Sequence, residues 1–599
     1  MKLKKSKSIL DRGNRIWLIL VLVFVLSVVF RAILSLKTGA ITIIYDEFLY
    51  WDISEAIFKN HATLFRGLFV GNKDILYMVL IAVCHLFNEF DEAYHCILMI
   101  NAILMSSVVF PTYKLADIIL ENKKFAIAIA VSSILVPEMF YTTRILQENL
   151  YYPLVIWGFF LFVKYVSCDK YNPIKIGIFA LYICMLTHVK MIGLCILAGV
   201  LFFYIIQFFC CENYRDRWKS ILMCVETTAV YVIGKVFIGK VISLELLQEG
   251  RDSVNSLVGN AAQGLLDFHR WMGYIYPILA YIMFVLIFMG IFTIIIPTAY
   301  FRFLNEKGKG LYIFCLGIGI ATLGVICLLI LDADNELGQR ITRIHFRYLY
   351  YLFIPFLIMF ISCCEKVKQE GLNRPCFILS LMYIACVLVT TPMIGVGSQI
   401  DSIPAGSLQA FFMTEQRQVI FKCLIIGGVI LGNILIYLRK PKVLYVLVGI
   451  MLSCLAIHSS QKAYHISYDE KVALESMKID GGLINEYFEN KSLESLDEVL
   501  IVGNNKASTG VMEVYLDIPY RVCEMSDIKN NFGKTSDSWC DLDITFYCVG
   551  KYKLDCYSAP EYIIVQGTLD IPGYVEQNIG LNNFNLYRKV GFMQGVNKQ

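Results

Sequence analysis

The chain has 599 residues, of which 57% are hydrophobic and only 17% charged, with a formal net charge of +4. A soluble globular protein of this length would not carry so much apolar surface, and its charges are crowded between apolar runs of about 20 residues. So small a positive excess, with no basic stripe or known reader motif, excludes a nucleic-acid-binding role, and the chain reads as an integral membrane protein with many spans.

The first apolar run, Ile16 to Leu36, is long enough to cross a bilayer. Met1 to Arg15 ahead of it carries Lys2, Lys4, Lys5, Lys7, Arg12 and Arg15 against the single acid Asp11, which places the N-terminus in the cytoplasm. No small-residue cleavage site follows the run convincingly, so it is expected to stay as an anchor. An acidic pair, Asp46-Glu47, therefore emerges on the outer face. It opens YDEFLYWDISEAIF, where Phe48, Trp51, Ile53 and Ile57 are placed to bury while Asp52 and Glu55 face water, the pattern of an interfacial helix. A plain capping role for Asp46 and Glu47 is the simpler alternative.

Segment 74–90 is ambiguous. If it crossed, the basic groups around Arg215 to Lys219, Arg302 to Lys309 and Arg439 to Lys442 would all lie outside, against the positive-inside rule. It is therefore read as an amphipathic or re-entrant hairpin within a first outer loop of 37–94. Further spans are expected near 95–115, 124–142, 150–166, 173–187, 191–210, 219–241, 274–300, 311–331, 348–364, 376–395, 418–438 and 442–458, about thirteen in all. An odd number of crossings leaves everything beyond His458 outside the cell membrane.

Residues 459–599 are a different material, with 20 acids against 13 Lys and Arg and frequent turn residues. Helical spacing from Val472 to Phe488 and the apolar runs Val499–Val502 and Tyr562–Val565 predict a small water-soluble α/β domain. The fold class is thus an all-α polytopic membrane domain, 1–458, followed by an extracytoplasmic α/β domain, 459–599. Sixteen of the 20 cysteines lie in or beside the spans. The other four, Cys523, Cys540, Cys548 and Cys556, are compatible with two disulfides in any of three pairings, or with free thiols.

Other ionisable residues gather at the outer span ends: Glu148 with Arg144 one turn before it, His188 and Lys190 in the connection LTHVKMIG, and Arg340, Arg343, His345 and Arg347 ahead of LYYLFIPFLIMF. Carboxylates on one side and fixed cations on the other would suit a substrate carrying phosphate. Singly, each cation is better explained as a snorkelling anchor; it is the set that favours a site.

A first span followed by Asp46, Glu47 and Tyr50, a second outer loop bearing Glu148, Lys190 after a later span, and Arg347-Tyr348 leading into an apolar span together resemble the C-type glycosyltransferases. The likeness is to the polyprenyl-phosphate-dependent bacterial enzymes related to protein O-mannosyltransferases and to lipid A aminoarabinose transferases. It implies Asp46 as the base, Glu47 orienting the acceptor or sugar or sharing the base role, Glu148 positioning the acceptor or supporting Asp46, and Lys190 and Arg347 as the lipid-phosphate site, with Arg340 and Arg343 as understudies and Tyr50, His188 and Tyr348 as further substrate contacts. It further implies a lipid-linked sugar donor, an envelope glycan, lipid or protein acceptor, and inversion at the anomeric carbon. The chain lacks the His-Pro-Pro of the mannosyltransferase branch, offering Gly71-Asn72-Lys73-Asp74, and the second outer loop lacks a D-x-D or D-x-E pattern, which leaves a divalent metal open. A transporter built around Glu226, the one mid-span acid, and a glycan polymerase or ligase are the rival classes.

Overall fold

The computed structural model describes residues 2–38, 45–65, 68–69, 74–87, 89–120, 122–167, 171–245, 268–327, 344–394, 402–489, 491, 499–503, 515–516, 518, 521–524, 545–546, 550–551, 560–566 and 574–589. Within them the protein is a helical, multi-pass membrane body followed by a small mixed sheet. Eight helices are long and apolar enough to cross a bilayer, or up to ten if each of two bent pairs forms one span. Pro173–Val189, Tyr350–Cys364 and Arg374–Thr390 are shorter apolar helices. The expected segments 16–36, 173–187, 219–241 and 442–458 each lie within one helix.

The first helix, α1 (Lys2–Thr38), leaves Leu18, Leu22, Leu26 and Phe30 more than half exposed. An apolar face of that extent is intolerable in water and ordinary against lipid. Helix α2 (Tyr45–Asn60) follows, then a minimal hairpin of β1 (Leu64–Phe65) and β2 (Leu68–Phe69). Next comes α3 (Leu76–Ala82), which runs into a 3-10 turn at Val83–Leu86. This last pair spans 76–86, about 16 Å of helix against a hydrocarbon core of about 30 Å, so it has the length of a re-entrant element. Phe48, Trp51 and Ile53 of α2 are buried against it, with the Trp51 and His85 rings 4.6 Å apart.

Helices α4 (Phe90–Ser106), α5 (Val109–Ile119), α6 (Lys123–Ser133), α7 (Glu148–Leu161), α8 (Pro173–Val189), α9 (Leu194–Cys210) and α10 (Tyr214–Glu245) build the first half of the bundle. Small residues set the closest approach: a Cβ on Gly317, in helix Glu306–Val325, would stand 2.8 Å from Phe202 and 3.0 Å from the Gly199 backbone of α9. Such contacts replace the hydrophobic drive that lipid cannot provide.

The last helix, Pro441–Phe488, continues unbroken through position 458, so the expected boundary between apolar and polar domains lies inside one 48-residue helix. Its far end packs Ile484 and Phe488 on a five-stranded sheet ordered β4 (Arg521–Glu524), β3 (Val499–Gly503), β5 (Tyr562–Gln566), β7 (Phe584–Lys589), β6 (Tyr574–Gln577). The two expected strands, β3 and β5, pair in parallel at its centre and are buried, which is why they read as continuous apolar runs. Asp480, fully buried, accepts the backbone N–H groups of Asn582 (2.9 Å) and Asn583 (2.7 Å) and so ties helix to sheet. Cys540, Cys548 and Cys556 lie outside the described residues, and Cys523 is placed as a backbone position in β4.

Candidate functional site

The site forms where α2 begins, α7 begins, α8 ends and the segment ahead of helix Phe353–Glu370 turns inward. Its frame is a buried polar network. The Asn149 side-chain amide donates to the carbonyls of Tyr141 (3.0 Å), Arg144 (3.0 Å) and Leu146 (3.1 Å). Asn101 of α4 donates to the same Arg144 carbonyl at 3.0 Å and accepts from the Tyr77 hydroxyl at 3.0 Å. These bonds satisfy the carbonyls left between the 3-10 turn Pro137–Thr143 and α7, and they fix the loop that delivers Glu148.

Asp46 and Glu47 occupy the first turn of α2, where a carboxylate suits the helix dipole. They go separate ways. Glu47 accepts the Ile145 N–H at 2.7 Å and faces the Arg144 guanidinium at 3.4 Å. Asp46 pairs with Arg347 at 3.2 Å. Arg347 also lies 3.8 Å from Glu148, and Lys190 pairs with the same Glu148 oxygen. Exposure separates the three acids: the Asp46 side chain is 34% exposed, against 0% for Glu47 and 2% for Glu148.

Local chain geometry explains the cations. Lys190 follows the end of α8 in extended backbone, and Gly193 closes the turn where a Cβ would stand 3.0 Å from the Leu186 and Thr187 backbone. Arg347 sits in the 3-10 turn Phe346–Tyr348 and donates to the Tyr348 hydroxyl at 3.1 Å. The Tyr348 ring centre lies 4.9 Å from the Lys190 ammonium and 5.1 Å from the Arg347 guanidinium, so one aromatic ring serves both. Tyr50 stands one turn beyond Asp46. Burial first, then the carboxylates of Asp46 and Glu148, push its hydroxyl well above the usual tyrosine range, so it stays a protonated donor.

The sequence-derived set is thus partly gathered. Asp46, Glu148, Lys190, Arg347 and Tyr348 meet; Tyr50 adjoins them. His188 is enclosed beside α10, with Lys235 as its charged neighbour and neither ring nitrogen hydrogen-bonded. Arg340 and Arg343 lie outside the described residues. Sequence reasoning missed Asn101 and Asn149, although a lone Asn inside the apolar run ILMINAILM was a visible sign, and it missed Ser467 and Glu470, which reach the site from the last helix. Arg144 donates to both, each at 2.8 Å. Burial works against the Arg144 charge, but Glu47 and Glu470 outweigh it and hold the guanidinium above its ordinary range.

Beside the site lies an apolar groove of about 250 Å³, lined in part by Ile129, Val136, Tyr350, Leu357 and Leu452. The last helix contributes residues 445–456 to it, a run of about 17 Å at the rise of an α-helix. Glu226 accepts a hydrogen bond from the Tyr171 hydroxyl at 2.7 Å, which gives the mid-span acid a local structural partner. Among the described residues no three His, Cys, Asp or Glu side chains converge to hold a metal ion.

No family model and no curated protein matches the chain. Among solved structures it is similar to ArnT from Cupriavidus metallidurans bound to undecaprenyl phosphate, at 12% identity over 96% of this chain and 99% of that one, with a TM-score of 0.46. The apo state of ArnT gives 13% identity over 84% and 85%, with a TM-score of 0.42. Likeness at that distance assigns no role to any residue here.

Proposed function

We propose that the protein transfers a sugar from a polyprenyl-phosphate donor to a hydroxyl acceptor at the outer face of the cell membrane. The observation that carries this reading is the division among three carboxylates: solvent reaches Asp46, while Glu47 and Glu148 are shut in by their partners. A base must touch its substrate, and in this group Asp46 is the one placed to do so.

The acceptor oxygen attacks the anomeric carbon as Asp46 takes its proton. The bond from that carbon to the phosphate oxygen breaks, and the polyprenyl phosphate leaves with the electron pair. Arg347 and Lys190 receive the charge gathering on the phosphate, the Arg through a planar fork of donors. Because phosphate leaves readily, no second carboxyl is required as acid, unlike the two needed for hydrolysis of a simple glycoside. Attack from the face opposite the phosphate inverts the anomeric centre.

Glu148 holds Lys190 and Arg347 at one spacing, and Glu47 fixes α2 against the Ile145 N–H and the Arg144 guanidinium; both position rather than react. The apolar groove near Tyr350 suits an isoprenoid tail. The orientation, with a cytoplasmic N-terminus and the sheet domain outside, rests on the basic residues of the loops assigned to the cytoplasm.

The test is transfer of labelled sugar from a panel of polyprenyl-phosphate sugars to envelope acceptors by purified protein. Asp46→Asn should lower turnover by about 10²- to 10⁴-fold with donor binding unchanged. No transfer by folded wild type across the panel, or full activity in the variant, would overturn the reading.

A further inference from the structure

A second cavity, of about 670 Å³, lies between the membrane body and the C-terminal domain. One wall is a stripe of α2, Phe48, Trp51, Asp52, Glu55 and Lys59, spaced as one helix face. Asp46 and Tyr50 stand on the opposite side of the same helix, about 10 Å away through its thickness. The remaining walls come from the end of the re-entrant element (Phe87), the start of α4 (Glu89, Phe90, Asp91) and the last helix with its domain (Lys478, Asn485, Tyr515).

The lining is mixed in a specific way. Glu55 is paired with Lys59 at 2.6 Å and Asp91 with Lys478, so both signs of charge are present. The carboxylates stand apart, since no three of them converge as a cation cage among the described residues. Aromatic edges alternate with them: Phe90 meets Tyr515 at 5.0 Å and Trp51 at 4.6 Å, and Phe87 is 47% exposed. Asn485 donates to the Tyr515 carbonyl at 2.8 Å and holds the domain's edge in the wall.

We infer that this cleft binds a polyhydroxylated glycan, the units of the acceptor that precede the one reaching Asp46. A cationic peptide would meet Lys59 and Lys478, and an anionic lipid headgroup would meet four carboxylates. Sugar hydroxyls both donate and accept, so they match a lining of both signs, and the C–H faces of sugars pack on exposed aromatic carbon. The volume is in the range of a ligand site. This inference rests on the glycosyl-transfer reading and names its acceptor class.

The experiment uses full-length protein in nanodiscs, with hexasaccharides of the cellulose, chitin and mannan types and a decalysine peptide as probes, their binding measured by calorimetry. Phe87→Ala and Glu89→Gln change exposed rim positions outside the proposed catalytic group. At least one hexasaccharide should bind, about tenfold more weakly to both variants, while slow release of sugar from the lipid donor to water is unaltered. Absence of glycan binding, or binding that neither variant weakens, overturns the inference while continued donor hydrolysis leaves the transferase reading standing. Decalysine binding that the variants weaken, in place of glycan, overturns the ligand class. Failure of wild type to bind or hydrolyse any donor defeats the transferase reading, and this subsite with it.

Discussion

Glu148 is an enclosed carboxylate that gathers two cations. It pairs with Lys190 and lies 3.8 Å from Arg347, so it sets the spacing of the two cations. Replacing it by Gln leaves Lys190 enclosed without its countercharge, and breaking such a buried pair costs about 3–5 kcal/mol. Glu148→Gln should therefore lower the thermal midpoint in detergent and weaken donor binding together. Lys190→Ala should raise the donor KM with less effect on stability, because Arg347, 3.8 Å away, still faces the enclosed Glu148 carboxylate. If both variants bind the lipid donor as wild type does, the two cations do not hold its phosphate. Of these residues, Asp46, Glu148, Lys190 and Arg347 were all visible in the sequence as charges at span ends. Their separate surroundings were not, because a chain position says nothing about which of two adjacent acids a loop will enclose.

At the scale of elements, α2, α3 and the 3-10 turn after it form one unit, locked by His85. Its ring packs on Trp51 and one nitrogen bonds the Ser54 hydroxyl at 2.8 Å. Burial lowers the His85 pKa to about 4; Glu55 works against that shift and Lys59 adds to it. The folded value lies below the unfolded one near 6.5, so the contribution to stability is intact above pH 6.5 and is lost as pH falls toward 4, by at most about 3 kcal/mol. The thermal midpoint of wild type should drop between pH 7.5 and 5, and His85→Gln should flatten that drop. An equal drop in both proteins would place the acid sensitivity elsewhere. The sequence anticipated α2 and the burial of its Phe48, Trp51 and Ile53, and positive-inside counting disfavoured a crossing at 74–90. Neither could reveal that His85 would close the gap between the two.

For the molecule as a whole, the last helix joins the sheet domain to the site. Glu470 and Ser467 hold Arg144, Lys471 donates to the Leu36 carbonyl at 3.0 Å, and Lys478 pairs with Asp91. Each contact links residues more than 300 positions apart. Glu470→Gln should cost about 1–3 kcal/mol, the scale of a hydrogen bond to a charged group. It should also make the segment after position 458 more susceptible to limited proteolysis. Unchanged proteolysis and an unchanged midpoint would mean that the Arg144 contact does not hold the domain in place.

By itself the sequence determined that this protein lives in a membrane, where most of its helices run, that a small α/β domain follows, and which charged residues stand near span ends. Those are consequences of composition and local period, and they survive without knowledge of any contact. Only the tertiary structure decided that α7, α8 and the turn at Arg347 bring Glu148, Lys190 and Arg347 together, that Asp46 stays accessible while Glu47 does not, and that the last helix reaches back to Arg144. The physical reason is that burial and ion pairing belong to residues distant in the chain, and their partners are chosen by how helices pack, which no local pattern encodes.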